Sequence, residues 1–137
     1  MISPGDDIAD IIIHNLKTNK ISIHNGDILT IAQKIISKSE NRYRKLSNIK
    51  PTKKAKTVGD KISKDPRLVQ AVLDESKKIV RYKKNVLIVE HKLGFIHANA
   101  GIDRSNIDQK NEQILLLPKD PDKSAKKIGQ KLEKYFQ

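Results

Sequence analysis

Apolar residues recur at helical spacing in several stretches of this chain, and helix-starting residues precede them. After Asp6 and Asp7, whose carboxylates suit the positive end of a helix, apolar side chains follow at positions 8, 9, 11, 12 and 16. Asp65-Pro66 and Asp120-Pro121 each place a capping Asp before a Pro, which is favoured in the first helical turn. The pattern predicts helices over residues 6–17, 50–63, 65–77 and 121–135.

Short apolar runs between these helices predict β-strands. The predicted strands cover residues 28–32, 79–82, 86–91, 95–99 and 114–117. Lys92-Leu93-Gly94 is short enough to join the third and fourth of them as a hairpin. We therefore expect an α+β fold, in which three or four helices pack on a mixed β-sheet. A chain of 137 residues fits a single domain over residues 1–137.

Two polar clusters follow predicted strands. Residues 33–42 follow the strand 28–32 and carry Ser, Lys and Arg donors, which suit phosphate oxygens at the mouth of a sheet. Residues 98–106 follow the hairpin, where Gly101 gives backbone freedom and Asp103 offers a hard oxygen to a cation. The first cluster does not match the P-loop pattern, and a solvated basic loop has the same composition. A polar turn after a strand equally explains the second cluster.

Charge is unevenly distributed along the chain, whose formal net charge is +12. Residues 34–64 hold eleven Lys and Arg against two acidic residues, whereas residues 1–30 are slightly acidic. Such a zone favours anionic partners, although a generally lysine-rich composition explains much of it equally well. Aromatic residues are only 4% of the chain, too few to build the stacking surface of a single-strand binder. Helices 50–63 and 65–77 superficially suggest a helix-turn-helix, but the second carries acidic residues and neither presents a polar base-reading face.

Several other functional classes are disfavoured by composition. The chain has no cysteine, which excludes disulfides, thiolate metal sites and a cysteine nucleophile. No apolar run is long enough to cross a membrane, and the first residues do not resemble a signal peptide, so a cytoplasmic location is expected. His91 and His97 flank the hairpin without a third ligand at zinc-like spacing, so no metal role is expected for them.

The two polar clusters and their surroundings resemble the γ-glutamyl ligase family of coenzyme F-420 biosynthesis, whose members use GTP to add L-glutamate to the deazaflavin cofactor. The similarity extends over nearly the whole chain and keeps the family's order and spacing. The matching blocks are Pro4-Gly5-Asp6-Asp7, Gly26-Asp27-Ile28-Leu29, Ala32-Gln33-Lys34-Ile35-Ile36-Ser37-Lys38-Ser39-Glu40, Asp65-Pro66-Arg67-Leu68-Val69, Asn99-Ala100-Gly101-Ile102-Asp103-Arg104-Ser105-Asn106 and the segment from Leu115 to Ala125.

This resemblance implies a role for five residues. Asp103 would bind a magnesium or manganese ion, Asn106 would contact GTP, and the phosphates would be held by Ser37, Lys38 and Arg42. Potassium is a further candidate cofactor. The implied reaction activates a carboxylate of the deazaflavin precursor as an acyl phosphate, which the amine of L-glutamate then attacks. The resemblance assigns no catalytic side chain within this sequence.

The chain also departs from the family at three places. The family has a strand ahead of the block that begins at Pro4, and it usually has Gly at the position of Asn41. It also continues beyond the final helix into a second half, which holds a metal-binding Asp-Thr pair. This chain therefore resembles the first half of the ligase and would supply only part of an active site. Expected partners are a second copy in a homodimer and a separate second-half chain.

Two other functions stay open from the sequence. The fold could serve as a non-catalytic nucleotide- or phosphate-binding module without ligase chemistry. A basic nucleic-acid-binding protein is the other alternative, and its affinity would fall steeply with salt and would not depend on metal.

Overall fold

The computed structural model describes residues 1–104 and 112–136 of the chain. In this part it has five α-helices, α1 to α5, which are Ile8–Thr18, Gln33–Ser39, Lys53–Ile62, Pro66–Asp74 and Pro121–Phe136. Its five strands, β1 to β5, are Tyr43–Lys45, Ser76–Lys83, Val86–His91, Ile96–Ala98 and Gln113–Leu115. The predicted α+β class is confirmed. No helix in the described ranges is both long enough and apolar enough to cross a bilayer.

The chain divides into two compact units. The terminal unit comprises Met1–Arg42 and Pro118–Gln137, and the central unit comprises Tyr43–Leu117. The terminal unit contains α1, α2 and α5, while all five strands lie in the central unit with α3 and α4. The prediction of a single domain over residues 1–137 is not tested by this division and stays a prediction.

In the terminal unit, α1 contacts α5, and charged side chains hold the two helices together. Asp7 caps α1 by accepting hydrogen bonds from the backbone N–H groups of Ala9 and Asp10. Lys131 on α5 reaches back to Asp7 at 3.0 Å and to Asp10 at 2.7 Å. These hydrogen bonds raise the pKa of Lys131, and the one to Asp7 is the main reason that the pKa of Asp7 is lowered. The helix predicted over residues 6–17 is confirmed.

The strand predicted over residues 28–32 is wrong. These residues have no regular secondary structure, and the side chain of Ile28 is 89% exposed. An apolar run of five residues cannot reveal whether another strand lies beside it, and here none of the described strands pairs with it. The polar cluster that follows was expected at the mouth of a sheet, but residues 33–39 form helix α2 instead.

In the central unit, the strands form two antiparallel sheets rather than one mixed sheet. The first sheet pairs β1 with β5, with Tyr43 opposite Leu115 and Lys45 opposite Gln113. The second has the order β2-β3-β4 and includes the predicted hairpin between β3 and β4. Side chains alternate along β3, so that Leu87, Val89 and His91 are buried.

The core of the central unit lies where α3 and α4 pack beside the sheets. Thr52 and Asp65 cap these two helices, and Pro66 opens α4 as predicted. One buried cluster consists of Ala55, Val58, Ile62, Val69, Val72, Leu87, Val89 and Ala100. A second consists of Leu46, Ile49, Leu68, Ala71, Ile114 and Leu116. Ala100 is part of the first cluster, so the segment leading to Asp103 is anchored in the core.

Candidate functional site

The predicted phosphate-binding residues lie on α2 and on the turn that follows it. Ser37 is fully buried, and its hydroxyl donates a hydrogen bond to Oε1 of Gln33 at 2.9 Å. The backbone N–H of Arg42 donates to the carbonyl oxygen of Ser37 at 2.9 Å. This bond brings Arg42 back towards the helix that carries Ser37 and Lys38. Because the Ser37 hydroxyl already has Gln33 as its acceptor, the cationic side chains are the groups of this turn that best suit a phosphate.

Asn41 gives this turn its shape. Its φ is +54°, in the left-handed region, and its N–H donates to the carbonyl oxygen of Lys38 at 3.0 Å. Glycine adopts such a φ without strain, and Asn is among the residues that tolerate it best. The departure from the Gly of the family is therefore compatible with the same kind of turn.

Three of the sequence blocks that carry the resemblance meet at the C-terminal end of α2. The N–H of Gly5 donates to the carbonyl oxygen of Ser39 at 2.8 Å. The carboxylate of Glu40 accepts a hydrogen bond from the N–H of Lys119 at 3.2 Å and another from the hydroxyl of Ser124. No local pattern in the sequence links these distant positions.

An apolar groove of about 1090 Å³ lies within the terminal unit. Leu16 on α1, the segment 21–29 and the α5 residues Ile128 and Leu132 contribute to its wall. Ile28 and Leu29 are exposed there because their segment forms neither a helix nor a strand. This groove was not predicted from the sequence, because a buried strand over residues 28–32 would place these side chains inside.

Asp103, the predicted metal ligand, lies in the central unit. Its N–H donates to the carbonyl oxygen of Leu115 at 2.9 Å, and the N–H of Leu115 donates back to the carbonyl oxygen of Asp103 at 3.0 Å. This bridge fixes the backbone of Asp103 beside β5. The predicted GTP contact, Asn106, lies outside the described residues.

An ion-pair network connects the start of α4 with Glu112. Arg67 donates to both carboxylate oxygens of Asp65 and also to both of Glu112, the shortest of these contacts being 2.7 Å and 2.9 Å respectively. The hydrogen bonds from Arg67 are the main cause of the lowered pKa of Asp65, while both carboxylates raise the pKa of Arg67. Arg67 therefore links α4 to the residue that precedes β5. Its role was not recognised from the sequence, where Arg67 was only one member of a matching block.

The histidines occupy different surroundings. His91 is buried, accepts a hydrogen bond from the N–H of Leu93 at Nδ1 and stacks on Phe95 with ring centroids 4.9 Å apart. His97 is exposed on β4. Within residues 1–104 and 112–136, no group of three or more His, Cys, Asp or Glu side chains is placed to hold a metal ion.

Comparison with known proteins gives consistent matches. A sequence model described as F420-0:Gamma-glutamyl ligase matches residues 1–137. The coenzyme F420:L-glutamate ligase of Methanothermobacter thermautotrophicus is 41% identical over 133 residues, which are 97% of this chain and 52% of that protein. The ligase of the same name from Methanocaldococcus jannaschii is 46% identical over 112 residues, covering 82% of this chain and 44% of its own length. The chain thus spans about half the length of the curated relatives it matches.

Proposed function

Because this chain belongs to the F420-0:Gamma-glutamyl ligase family, we propose that it contributes to joining L-glutamate to the deazaflavin coenzyme through a γ-glutamyl amide. The relatives bear the name of this activity, and the match extends over the whole of the present chain. Since the chain spans about half of their length, it would act as one part of a complete ligase. The remaining part would come from a further polypeptide segment or a separate chain.

The terminal unit would bind the phosphates of GTP. The observation that carries this proposal is the meeting of Gly5, the end of α2 and Ser124, because three separated segments converge on one turn. Lys38 and Arg42 on that turn have the charge that polyphosphates require. Ser37 would support the turn, since its carbonyl oxygen accepts the N–H of Arg42 and its hydroxyl is directed to Gln33. Asn106 is proposed as a further GTP contact.

Asp103 would supply one ligand to magnesium or manganese. A carboxylate is the hard oxygen donor that both ions prefer, and the bridge to Leu115 holds the backbone of this residue in place. The donor chemistry therefore fits the ion, although one carboxylate is only part of a coordination shell. When bound, the metal would neutralise phosphate charge during phosphoryl transfer. Potassium stays a further proposed cofactor.

In the proposed reaction, a carboxylate oxygen of the deazaflavin precursor forms a bond to the γ-phosphorus of GTP, and the bond to GDP breaks. The amine nitrogen of L-glutamate then bonds to the acyl carbon and gives up a proton to solvent, and inorganic phosphate leaves with the electron pair of the acyl–oxygen bond. Lys38 and Arg42 would orient the phosphates and offset their negative charge. Asp103 would supply a carboxylate oxygen to the metal ion.

Titration of GTP into the full 137-residue chain, with and without Mn²⁺, tests the proposed site. We expect binding that depends on Mn²⁺ and is abolished by Asp103→Asn, because the amide keeps the size of the side chain but removes its charge. Asp60→Asn is the matched control, since Asp60 is an exposed carboxylate on α3 of the same unit. Metal-dependent GTP binding that survives Asp103→Asn would contradict the assignment of Asp103.

A non-catalytic nucleotide-binding module is the second candidate function, and the half-length match to the relatives favours it. Adding a polypeptide that corresponds to the remaining half of a relative, together with GTP, Mn²⁺, L-glutamate and the deazaflavin precursor, separates the two. Release of GDP and phosphate with formation of the amide supports the ligase. Binding of GTP without either product supports the module.

A further inference from the structure

The segment before Asp103 adopts a backbone conformation that most residues avoid. Asn99, Ala100 and Gly101 have φ values of +51°, +53° and +68°, so three successive residues are left-handed. Ala100 carries a Cβ atom that crowds the backbone in this region, and its side chain is fully buried. Backbone strain of this kind persists only where surrounding contacts enforce it. The contacts that enforce it therefore also determine where Asp103 lies.

Two of these contacts come from the backbone and from close packing. The N–H of Ile102 donates to the carbonyl oxygen of Asn99 at 3.1 Å, which closes the turn. A Cβ atom on Gly101 would lie 2.8 Å from Cδ1 of Leu117, so only glycine lets the turn approach this side chain without displacing it. The first contact joins the backbone of Asn99 to Ile102 and the second constrains Gly101, whereas the side chain of Asn99 needs another partner.

Lys64 supplies that partner through a side-chain hydrogen bond. Its Nζ donates to Oδ1 of Asn99 at 2.6 Å, across 35 residues of sequence. The backbone of Lys64 is itself held at the end of α3, where its N–H donates to the carbonyl oxygen of Gly59 at 3.0 Å. The carbonyl oxygen of Lys64 would lie 2.8 Å from a Cβ atom on Gly59, so the absence of a side chain there permits the close approach.

The ammonium group of Lys64 lies in surroundings that disfavour its positive charge. The side chain is half-buried, and this burial is the main reason that its pKa is lowered, with the positive charge of Arg104 as a second reason. Lysine is rarely buried without a partner, because the ammonium group must give up water. A lysine that only covered the surface would extend into solvent, as the exposed Lys61 on α3 does.

We propose that Lys64 is a positioning residue for the Asp103 site, since its ammonium group holds Asn99 and thereby the left-handed turn from which Asp103 extends. The inference rests on the proposed function in so far as it concerns metal binding by Asp103. Lys64 acts through Asn99 and is not assigned a contact with substrate or metal. The left-handed turn itself can be tested without any ligand.

The first test measures hydrogen exchange of the backbone amides of Ile102, Asp103 and Leu115 in the metal-free full chain. Each of these amides donates to a hydrogen bond that depends on the turn or on the bridge beside it. We expect faster exchange in Lys64→Met and in Asn99→Gly, since glycine keeps the left-handed backbone but lacks the acceptor. Lys64→Arg keeps a donor and should restore slow exchange. Lys61→Met is the matched control and should leave these amides unchanged.

The second test measures the affinity for Mn²⁺ alone by calorimetry. Loss of a positioning contact is expected to weaken Mn²⁺ binding by about 10- to 100-fold in Lys64→Met. Simple electrostatics predicts the opposite sign, because removing a positive charge near a cation site strengthens binding. The effects of Lys64→Met and Asn99→Gly should be non-additive in the double variant, because both remove the same hydrogen bond.

Unchanged exchange in folded Lys64→Met and Asn99→Gly, or tighter Mn²⁺ binding in Lys64→Met, would overturn the inference. If the unaltered chain binds no Mn²⁺, the proposed role of Asp103 fails, and the exchange data alone decide whether Lys64 holds the turn. If Lys64→Met does not fold, the same measurements on Asn99→Gly decide whether the hydrogen bond between Lys64 and Asn99 holds the turn. Thermal unfolding of every variant identifies such a failure.

Discussion

The terminal and central units differ in how completely they bury their apolar side chains. In the central unit, Ile62, Val69 and Leu87 are completely or almost completely buried in one cluster between helices and sheet. In the terminal unit, Ile28 and Leu29 line an open groove, and ion pairs and caps join α1 to α5. The terminal unit also buries Ile8, Ile13 and Ile36, but it leaves more of its apolar surface open than the central unit does at these positions. The strained turn before Asp103 combines both kinds of contact, since Ala100 is buried in the core and Asn99 accepts a hydrogen bond from Lys64.

The largest expected effect is a difference in the free energy of unfolding between truncating a buried isoleucine of the central unit and an exposed isoleucine of the terminal unit. Ile62→Ala should lower the free energy of unfolding by about 2–5 kcal/mol, because it leaves a cavity in a closed core. Ile28→Ala, at a position that is mostly exposed, should change it by less than about 0.5 kcal/mol. Urea unfolding followed by circular dichroism measures both. Equal losses would show that the described burial does not distinguish the units.

The next largest effect concerns two glycine substitutions, one of which should destabilise the folded chain while the other stabilises it. Gly101→Ala places a methyl group against Leu117 at a φ of +68° and should cost about 1–3 kcal/mol. Gly129→Ala lies on α5 with no atom within 4 Å of the added Cβ and should stabilise the chain by about 0.5–1 kcal/mol. Thermal or urea unfolding resolves the two directions. A stabilising Gly101→Ala would mean that the left-handed turn relaxes freely.

The smallest expected effect concerns how the stability of the folded chain depends on pH in the acidic range. The pKa values of Asp7 and Asp65 are both lowered in the folded chain, chiefly by hydrogen bonds from Lys131 and Arg67 respectively. Their stabilisation is therefore complete above the ordinary pKa of 3.8 and is lost as the pH falls through the lower folded values. Asn caps helices as well as Asp does but does not titrate. Asp7→Asn and Asp65→Asn should each make stability less sensitive to pH in this acidic range.

Each of these two acid-dependent contributions should be about 0–1 kcal/mol, as for partly exposed ion pairs. Unfolding curves at a series of pH values down to strong acid measure the change. If the two Asn variants lose stability in acid as steeply as the unaltered chain, other carboxylates dominate the dependence. If the acid-dependent loss of stability is reduced in Asp65→Asn but not in Asp7→Asn, the acid sensitivity belongs to the central unit.

The sequence predicted the elements whose signals are local. Helices α1, α3, α4 and α5 were found because a capping residue, a Pro or an amphipathic pattern occurs within a few positions. The β3–β4 hairpin was found because Leu93 and Gly94 lie in a short connection between two apolar runs. Strand β1 was missed, since its three residues pair with β5 far along the chain and carry no apolar alternation.

The candidate site was predictable in a different way. Asp103, Lys38 and Arg42 were identified by resemblance, because their residue types alone are equally common in polar turns. Their functional roles stay predictions. The hydrogen bond from Lys64 to Asn99 and the convergence of Gly5 with Ser39 depend on tertiary structure, and no spacing in the sequence signals either contact.

Because β1 pairs with β5, the first and last strands of the central unit are neighbours, although they are far apart along the chain. Tyr43 lies opposite Leu115, so the chain enters and leaves the central unit through neighbouring antiparallel strands. A unit with adjacent ends can be inserted into a host sequence without separating the host's flanking segments. During synthesis, β1 has no partner until about 70 more residues have been added, so this sheet is the last part of the central unit to close. Residues 43–117 therefore have the architecture of an inserted module, completed only when its final strand emerges.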